Sequence, residues 1–285
     1  MSPISLEYRV PPEDLRPYVT LFYHFHADVP ALDEIERADH AQLRFRLDGG
    51  DAVYRVGGDA DQSVGPCHVI GPTGGAIRVR AAGPIELIGM GLQPAGWAAL
   101  LRVDASVMLD RVFDAAQLFG EPWCASSFAR LRAADGTDAK VAEAIAIIRA
   151  MLDRHDIVAL DFARAIDGWL AGSASAAVDD LVAASGLSRR QVERRTKALY
   201  GVPPKTLARK YRALRAAVTL ASGSAIGEAL VAGGFYDQSH LNREIKQFAG
   251  LTPHQMRAAP GLLAQLTIAQ RRALEGRVHP IISDT

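Results

Sequence analysis

Two stretches of this chain repeat one helical grammar about 48 residues apart, and that repeat constrains the fold more than any bulk property. In the first, Asp179 to Tyr200 (DDLVAASGLSRRQVERRTKALY), a short helix carrying Leu181 and Val182 runs into Gly186. Glycine tolerates the left-handed conformation that ends a helix, and Ser188 then offers its hydroxyl as N-cap for a second helix. Along that second helix Val192, Thr196 and Leu199 share one face, while Arg190, Arg194 and Lys197 occupy the opposite one. In the second stretch Ile226, Ala229 and Leu230 make the apolar face of the leading helix, Gly233-Gly234 the turn, and Asp237 the cap of the next helix. Leu241, Ile245 and Phe248 then recur at helical spacing, while Ser239, Asn242, Arg243 and Lys246 share the other face with no carboxylate among them. A helix, a glycine turn and a helix with a polar outer face form the pattern of a helix-turn-helix, whose second helix enters the DNA major groove. Arginine can grip guanine, and asparagine adenine, through paired hydrogen bonds, so both faces are equipped to read bases.

Between the repeats, Pro204 to Ala221 reads as one helix with proline at its start. Eighteen residues make a rod of roughly 27 Å. With its flanking turns, such a rod would set two recognition helices near one DNA turn apart, about 34 Å. Charge agrees. The formal net charge of the chain is zero, yet Ser173 to Ala259 holds 13 Lys and Arg against 6 Asp and Glu, which leaves a matching negative excess on the remainder. A positive field confined to one region suits a polyanion-binding module.

Residues 178–257 resemble the DNA-binding domain of AraC/XylS-type transcription regulators. The second repeat carries Gly234-Phe235, Asp237, Ser239, Leu241, Arg243, Lys246, Gly250, Thr252-Pro253 and Arg257 at the family's spacing, and the first carries Leu187-Ser188, Arg194, Lys197 and Gly201 with Pro203-Pro204 following. Two positions depart from the pattern: Thr196 replaces the usual aromatic of the first recognition helix, and Ile245 the usual phenylalanine of the second. Both imply leaner packing. Position by position, the resemblance places base-reading sites on Arg190, Glu193 and Arg194, and on Gln238, Ser239, Asn242 and Arg243, with Lys197 and Lys246 completing the DNA-facing surfaces. Glu193 could accept from cytosine N4, but it stands four residues from both Arg189 and Lys197, where helix-surface ion pairs are the plainer expectation. Arg215 and Lys205 read as phosphate contacts or solvated residues, not as base readers.

Residues 1–103 read as β-rich. Short runs (TLFYHF, QLRFRL, AVYRV, CHVIG, AIRVR, IELIGMGL) are separated by turn signals at Asp48-Gly49-Gly50, Gly57-Gly58, Gly71-Pro72 and Gly83-Pro84, the texture of a small barrel or sandwich. Residues 104–172 turn helical, and the stripe Val141, Ile145, Ile148, Leu152 would serve either a dimer or a packing face. Gly172-Ser173-Ala174-Ser175 is a linker candidate, 173–259 the double helix-turn-helix domain, and 260–285 an amphipathic helix (Leu262 to Leu274) with a tail. The fold class expected is therefore α+β: an N-terminal cupin-like barrel, a helical linker region, then an all-α domain with two helix-turn-helix motifs joined by a long helix.

In AraC/XylS relatives the variable half senses a small molecule through a cupin-like barrel, and Gly89 to Leu101 (GMGLQPAGWAALL) is similar to the strand-to-helix exit seen there. The resemblance implies double-stranded DNA and a small organic effector as partners, with RNA polymerase as the partner of an activator; a homodimer is expected if the 141–152 stripe is a seam. In TLFYHF, Phe22, His24 and His26 share one face and Leu21, Tyr23 and Phe25 the other, with the inward face left open. A rival reading is a metal-dependent cupin-type enzyme fused to a DNA-targeting domain, for which His24, His26, His40, His68 and Glu34 are the candidate ligands. Their spacing does not reproduce a metal-binding cupin motif, so neither metal nor other cofactor is expected. Cys67 beside His68 reads as a buried thiol before a redox switch. No catalytic Ser/His/Asp grammar, P-loop or dinucleotide turn is present. The start MSPISLEYRVPPEDL lacks a signal-peptide pattern and no stretch has the apolar length of a membrane helix, so a cytoplasmic protein is expected.

Overall fold

The structure is a computed structural model that describes residues 3–48, 50–56, 60–152, 160–173 and 176–285. Gly49, Gly57, Gly58, Ala174 and Ser175, parts of the expected turns and linker, lie outside the described residues. Among the described residues ten strands are formed: β1 (Ile4–Arg9), β2 (Val19–Ala27), β3 (Ala31–Glu36), β4 (Gln42–Asp48), β5 (Ala52–Val56), β6 (Gln62–Val64), β7 (Cys67–Ile70), β8 (Ile77–Ala82), β9 (Ile85–Leu92) and β10 (Val112–Asp114). All pairs are antiparallel. They build a six-stranded sheet in the order β1-β2-β9-β4-β7-β10 and a four-stranded sheet in the order β3-β8-β5-β6. The six apolar runs read from sequence are β2, β4, β5, β7, β8 and β9. The strand-bearing region also extends past residue 103, because β10 pairs with β7.

Thirteen α-helices are formed among the described residues: α1 (Pro94–Leu101), α2 (Ala115–Phe119), α3 (Glu121–Ala133), α4 (Gly136–Leu152), α5 (Asp161–Gly172), α6 (Val178–Ser185), α7 (Arg189–Tyr200), α8 (Pro204–Ala221), α9 (Ile226–Ala232), α10 (Gln238–Ala249), α11 (Pro253–Ala258), α12 (Leu262–Arg272) and α13 (Pro280–Ser283). No helix among the described residues is long and apolar enough to cross a membrane.

The alternation of side chains along each strand divides the barrel into two cores. On β4, Leu43, Phe45 and Leu47 point outward and are covered by helices, joining Phe22, Trp97, Leu131, Val141 and Ile148 in one apolar cluster. Of the stripe on α4, Val141 and Ile148 are buried in this cluster and Ile145 and Leu152 are half-buried against it, which is the packing-face alternative for that stripe. Cys67 and Cys124 are free, buried thiols of the same cluster. Burial and its neighbour Cys124 push the Cys67 thiol up, away from the reactive thiolate. The inner faces of the two sheets meet in a second cluster that includes Tyr23, Phe25, Tyr54, Val79 and Leu87. Leu21, Tyr23 and Phe25 are thus the inward face of β2 and Phe22 the outward one.

The helical half has two cores. One joins α5 to α6 and α7 through Phe162, Ile166, Trp169, Leu181, Val192 and Tyr200. The other joins α8 to α10 through Leu214, Ala217, Leu241, Ile245 and Phe248. The amphipathic α12 does not extend the DNA-binding domain. It folds back across the mouth of the barrel, where Leu263 and Leu266 pack on the inner-sheet cluster.

Candidate nucleic-acid interface and the cavity behind it

Each recognition helix is defined by local chemistry. α6 ends at Gly186, whose φ is 65°, and α7 starts on a capping box in which the Ser188 side chain and Gln191 satisfy each other's backbone amides. In the second unit Gly234 has φ 62°, and the Asp237 carboxylate caps α10 by accepting from the His240 amide at 2.6 Å. Val192 and Thr196 face inward on α7, as do Leu241, Ile245 and Phe248 on α10. Thr196 fits without filling: its hydroxyl is buried and has no hydrogen-bond partner among the described residues.

The opposite faces are free. Arg190, Glu193, Arg194 and Lys197 on α7, and Gln238, Ser239, Asn242, Arg243 and Lys246 on α10, are all exposed. None of these nine side chains has a hydrogen-bond or ion-pair partner among the described residues. The ion pairs expected around Glu193 are not formed, because Arg189 reaches back to Asp179 on α6. Neighbouring arginines are occupied elsewhere. Arg209 and Arg212 hold the buried Glu244 carboxylate, at 2.6 and 3.3 Å. Arg215 is corrected from a phosphate contact to a structural residue, since its Nη1 donates to the Leu170 carbonyl at 2.9 Å and its Nη2 to that of Ser173 at 3.3 Å, closing the end of α5. Lys205 remains exposed at the start of α8. The two faces can donate to phosphates and to base edges without breaking an internal contact.

Behind this surface the helical half is bonded to the barrel. The Phe248 carbonyl accepts from the Ala38 amide at 2.7 Å, and the Gln247 carbonyl from the Ala76 amide at 2.9 Å. Lys210 is buried and donates to the carbonyls of Asp39 (2.7 Å) and Thr73 (3.0 Å); burial lowers its pKa to about 8. Tyr211 meets His40 at 3.0 Å, and Arg271 of α12 meets Asp39 at 2.5 Å. Burial alone would push the Asp39 carboxyl up, but the Arg271 and Arg37 guanidiniums hold it well below the usual range.

Between the sheets, beneath α12, lies a cavity of about 110 Å³. Its walls come from both halves: Tyr23, Arg44, Tyr54 and Leu87 from the barrel, Leu214, Ala249, Met256 and Ile268 from helices. The polar part is organised on Arg44, which grips Glu36 with both terminal nitrogens (2.9 and 2.6 Å) and donates to Tyr23 (2.8 Å), Tyr54 (3.3 Å) and Gln42 (3.1 and 2.7 Å). Gly89 makes room for this: a Cβ there would stand 2.2 Å from Tyr23 Cζ. His68 Nδ1–H donates to the Gly65 carbonyl at 3.0 Å, which can only accept, so Nε2 accepts a hydrogen bond from the Tyr54 hydroxyl at 2.9 Å. Burial, with Arg44 adding to it, lowers the His68 pKa to about 3, so the ring is neutral.

The candidate metal ligands are not brought together. His24 meets Glu86 and Thr137, His40 meets Tyr211, His68 meets Tyr54, and no cluster of three or more His, Cys, Asp or Glu able to hold a metal occurs among the described residues.

A family model described as a helix-turn-helix domain matches residues 181–259. No curated protein matches the chain. Among solved structures the chain is similar to ToxT from Vibrio cholerae. An apo form of a ToxT variant is 11% identical, covers 82% of this chain and 98% of its own, and superposes with a TM-score of 0.46. ToxT bound to an unsaturated fatty acid is 11% identical, with 81% and 93% covered and a TM-score of 0.45. A third ToxT structure is 9% identical, with 80% and 97% covered and a TM-score of 0.44. With the family match lying over the two capped helix pairs and their unencumbered polar faces, residues 181–259 are a helix-turn-helix domain.

Proposed function

We propose that the protein is a ligand-responsive, sequence-specific regulator in which α7 and α10 read operator bases and the barrel holds a small organic effector. Arg190 and Arg194 read guanine-containing steps for the first unit, Asn242 and Arg243 read adenine and guanine for the second, and Glu193, Gln238 and Ser239 complete base contact. Lys197, Lys246 and Lys205 neutralise phosphates. The observation that carries the reading is the mixed wall of the cavity. A ligand bound there touches the barrel and the helices of the DNA-binding half at once, so it acts on their arrangement directly.

The test is reciprocity. Selection from random DNA supplies the operator, and thermal-shift screening supplies an effector. Operator must then change effector affinity by the same factor as effector changes operator affinity, about 5- to 150-fold for a coupling of ordinary size. An effector that binds equally with and without operator rules out an allosteric barrel for that ligand. An operator preference left intact in Arg243→Ala removes α10 from the groove.

A further inference from the structure

The cores of the two helix-turn-helix units have no residue in common among the described residues. They are joined by α8, which gives Leu207 and Tyr211 to the first core and Leu214 and Leu220 to the second. A helix of fixed rise sets the distance between two bodies more firmly than it sets their roll about its axis. The angle between the two reading faces therefore depends on what else holds both units.

The segment that does so is the C-terminal one, beyond the matched domain. α12 lies across β1 and β3, an edge strand of each sheet. Leu263 and Leu266 pack on the inner-sheet cluster, and Ile268 packs on the core of the second unit. Further along, Ile281 of α13 is buried inside the core of the first unit. One short stretch of chain thus reaches three separate cores. Polar contacts fix its path. Arg271 holds the Asp39 carboxylate at 2.5 Å, with its guanidinium 5.5 Å from the centre of the Tyr8 ring. The Arg272 guanidinium donates to the Ser222 hydroxyl at the end of α8. Between the two helices, Leu274 packs with Ile282 and with Leu21 of β2.

We propose that residues 262–285 form a clasp that fixes the roll of one reading face against the other, and so makes the spacing of the two operator subsites a determinant of specificity. This rests on the reading of α7 and α10 as the DNA-contacting helices. Two linked units bind as a bivalent pair, in which the second contact forms at an effective concentration set by the length and stiffness of the link. A stiff link favours one spacing strongly, and a loose one flattens the preference. One base pair added between the subsites moves one of them by about 3.4 Å and turns it by about 35°. Units held by α8 alone would follow that turn by rolling on the rod. A clasped pair must first break the contacts of α12 or α13.

The experiment uses the full-length protein and the operator selected from random DNA, with its subsites at the selected spacing or one base pair further apart, read by fluorescence anisotropy. The added pair should weaken the wild type roughly 100-fold, the scale of one or two mismatched base pairs. Arg271→Met, and separately Leu274→Ala combined with Ile281→Ala, should shrink that penalty to about 10-fold or less. Both variants should bind DNA carrying a single subsite as the wild type does. Hydrogen exchange supplies a measurement that needs no variant: α12 and α13 of the wild type should lose protection on the lengthened operator relative to the selected one. The proposal is overturned if the wild type tolerates the added pair, if folded variants keep the full penalty, or if α12 and α13 stay equally protected on both DNAs. Failure of the DNA reading itself shows on single-subsite DNA, where the clasp has no part: Arg194→Ala and Arg243→Ala would leave base preference intact there.

Discussion

The two helix-turn-helix units share a grammar and differ in what they lean on. The first is built into the helical half: Leu181, Val192 and Tyr200 pack with Phe162, Ile166 and Trp169 of α5 and Ile281 of α13. The second is built against α8 and stitched to the barrel, with the buried Glu244 held by Arg209 and Arg212 and the last turn of α10 sharing backbone hydrogen bonds with Ala38 and Ala76. No backbone bond of that kind joins α7 to the barrel among the described residues. Both recognition helices end in a left-handed glycine, but a Cβ on Gly201 would stand 3.0 Å from Leu109 and Pro72 side chains, while one on Gly250 would stand 2.4 Å from Ile35. Ile35, Glu36, Arg37 and Asp39 line the cavity, and Ala38 sits among them. The second recognition helix is in effect a continuation of the cavity wall. Repeated local chemistry therefore fixes the motif twice, and the packing around it differs: backbone hydrogen bonds join the second copy to the barrel, while the first meets it through side-chain packing on Pro72 and Leu109.

The largest test of this asymmetry is Phe248→Ala. Phe248 is fully buried, so the truncation should cost about 3–5 kcal/mol in urea unfolding. It should also speed amide exchange at Ala38 and Ala76, and unchanged exchange there would break the link between α10 and the barrel. Next, Arg243→Ala should cost about 1–3 kcal/mol on the selected operator and relax base preference at one position. Measured by fluorescence anisotropy on matched operators, Arg194→Ala should relax a different position, in the other half of the site. Acid sharpens the comparison further. His68 titrates near 3 in the folded barrel against 6.5 unfolded. Its contribution is therefore complete above about pH 6.5 and drains as the pH falls toward 3, because the unfolded chain takes a proton the folded barrel refuses. Between pH 7 and 5 that amounts to about 2 kcal/mol. Hydrogen exchange should show α10 losing protection with the barrel before α6 and α7 do, and His68→Phe should flatten the loss. The smallest effect is Thr196→Val, which removes a buried hydroxyl without a partner and should stabilise the first unit by about 1 kcal/mol in thermal unfolding. A destabilised variant would mean that the hydroxyl is satisfied after all.

The helical half was legible because its signals are local. Ser188, Asp237 and the glycines at 186 and 234 act within a turn of where they stand, and helical spacing separates Val192 from Arg194 without knowledge of the rest. The barrel was legible only in outline. Apolar runs marked six strands, but β3 (ALDEIE) is half charged and β10 is three residues long, too little pattern to count. A second limit shows in β4. In QLRFRL the alternation separates Leu43, Phe45 and Leu47 from Gln42, Arg44 and Arg46 without saying which face is inward. In the folded chain helices cover the apolar face and the arginines turn inward. Period two says that two faces differ, and only the covering elements say which is inside. The destination of α12 was hidden for the same reason: amphipathicity declares a face to be buried and not what buries it.

The roof of the cavity is α12, whereas its floor is finished when β9 closes at Leu92, about 180 residues earlier in the chain. At the usual pace of synthesis, about 5–20 residues per second, a nascent barrel stands uncovered for roughly 10 to 40 s before its roof can arrive. That makes the order of translation part of the binding problem. A ligand present while the protein is being made would meet an uncovered vessel, and one that comes later a vessel whose mouth α12 partly covers.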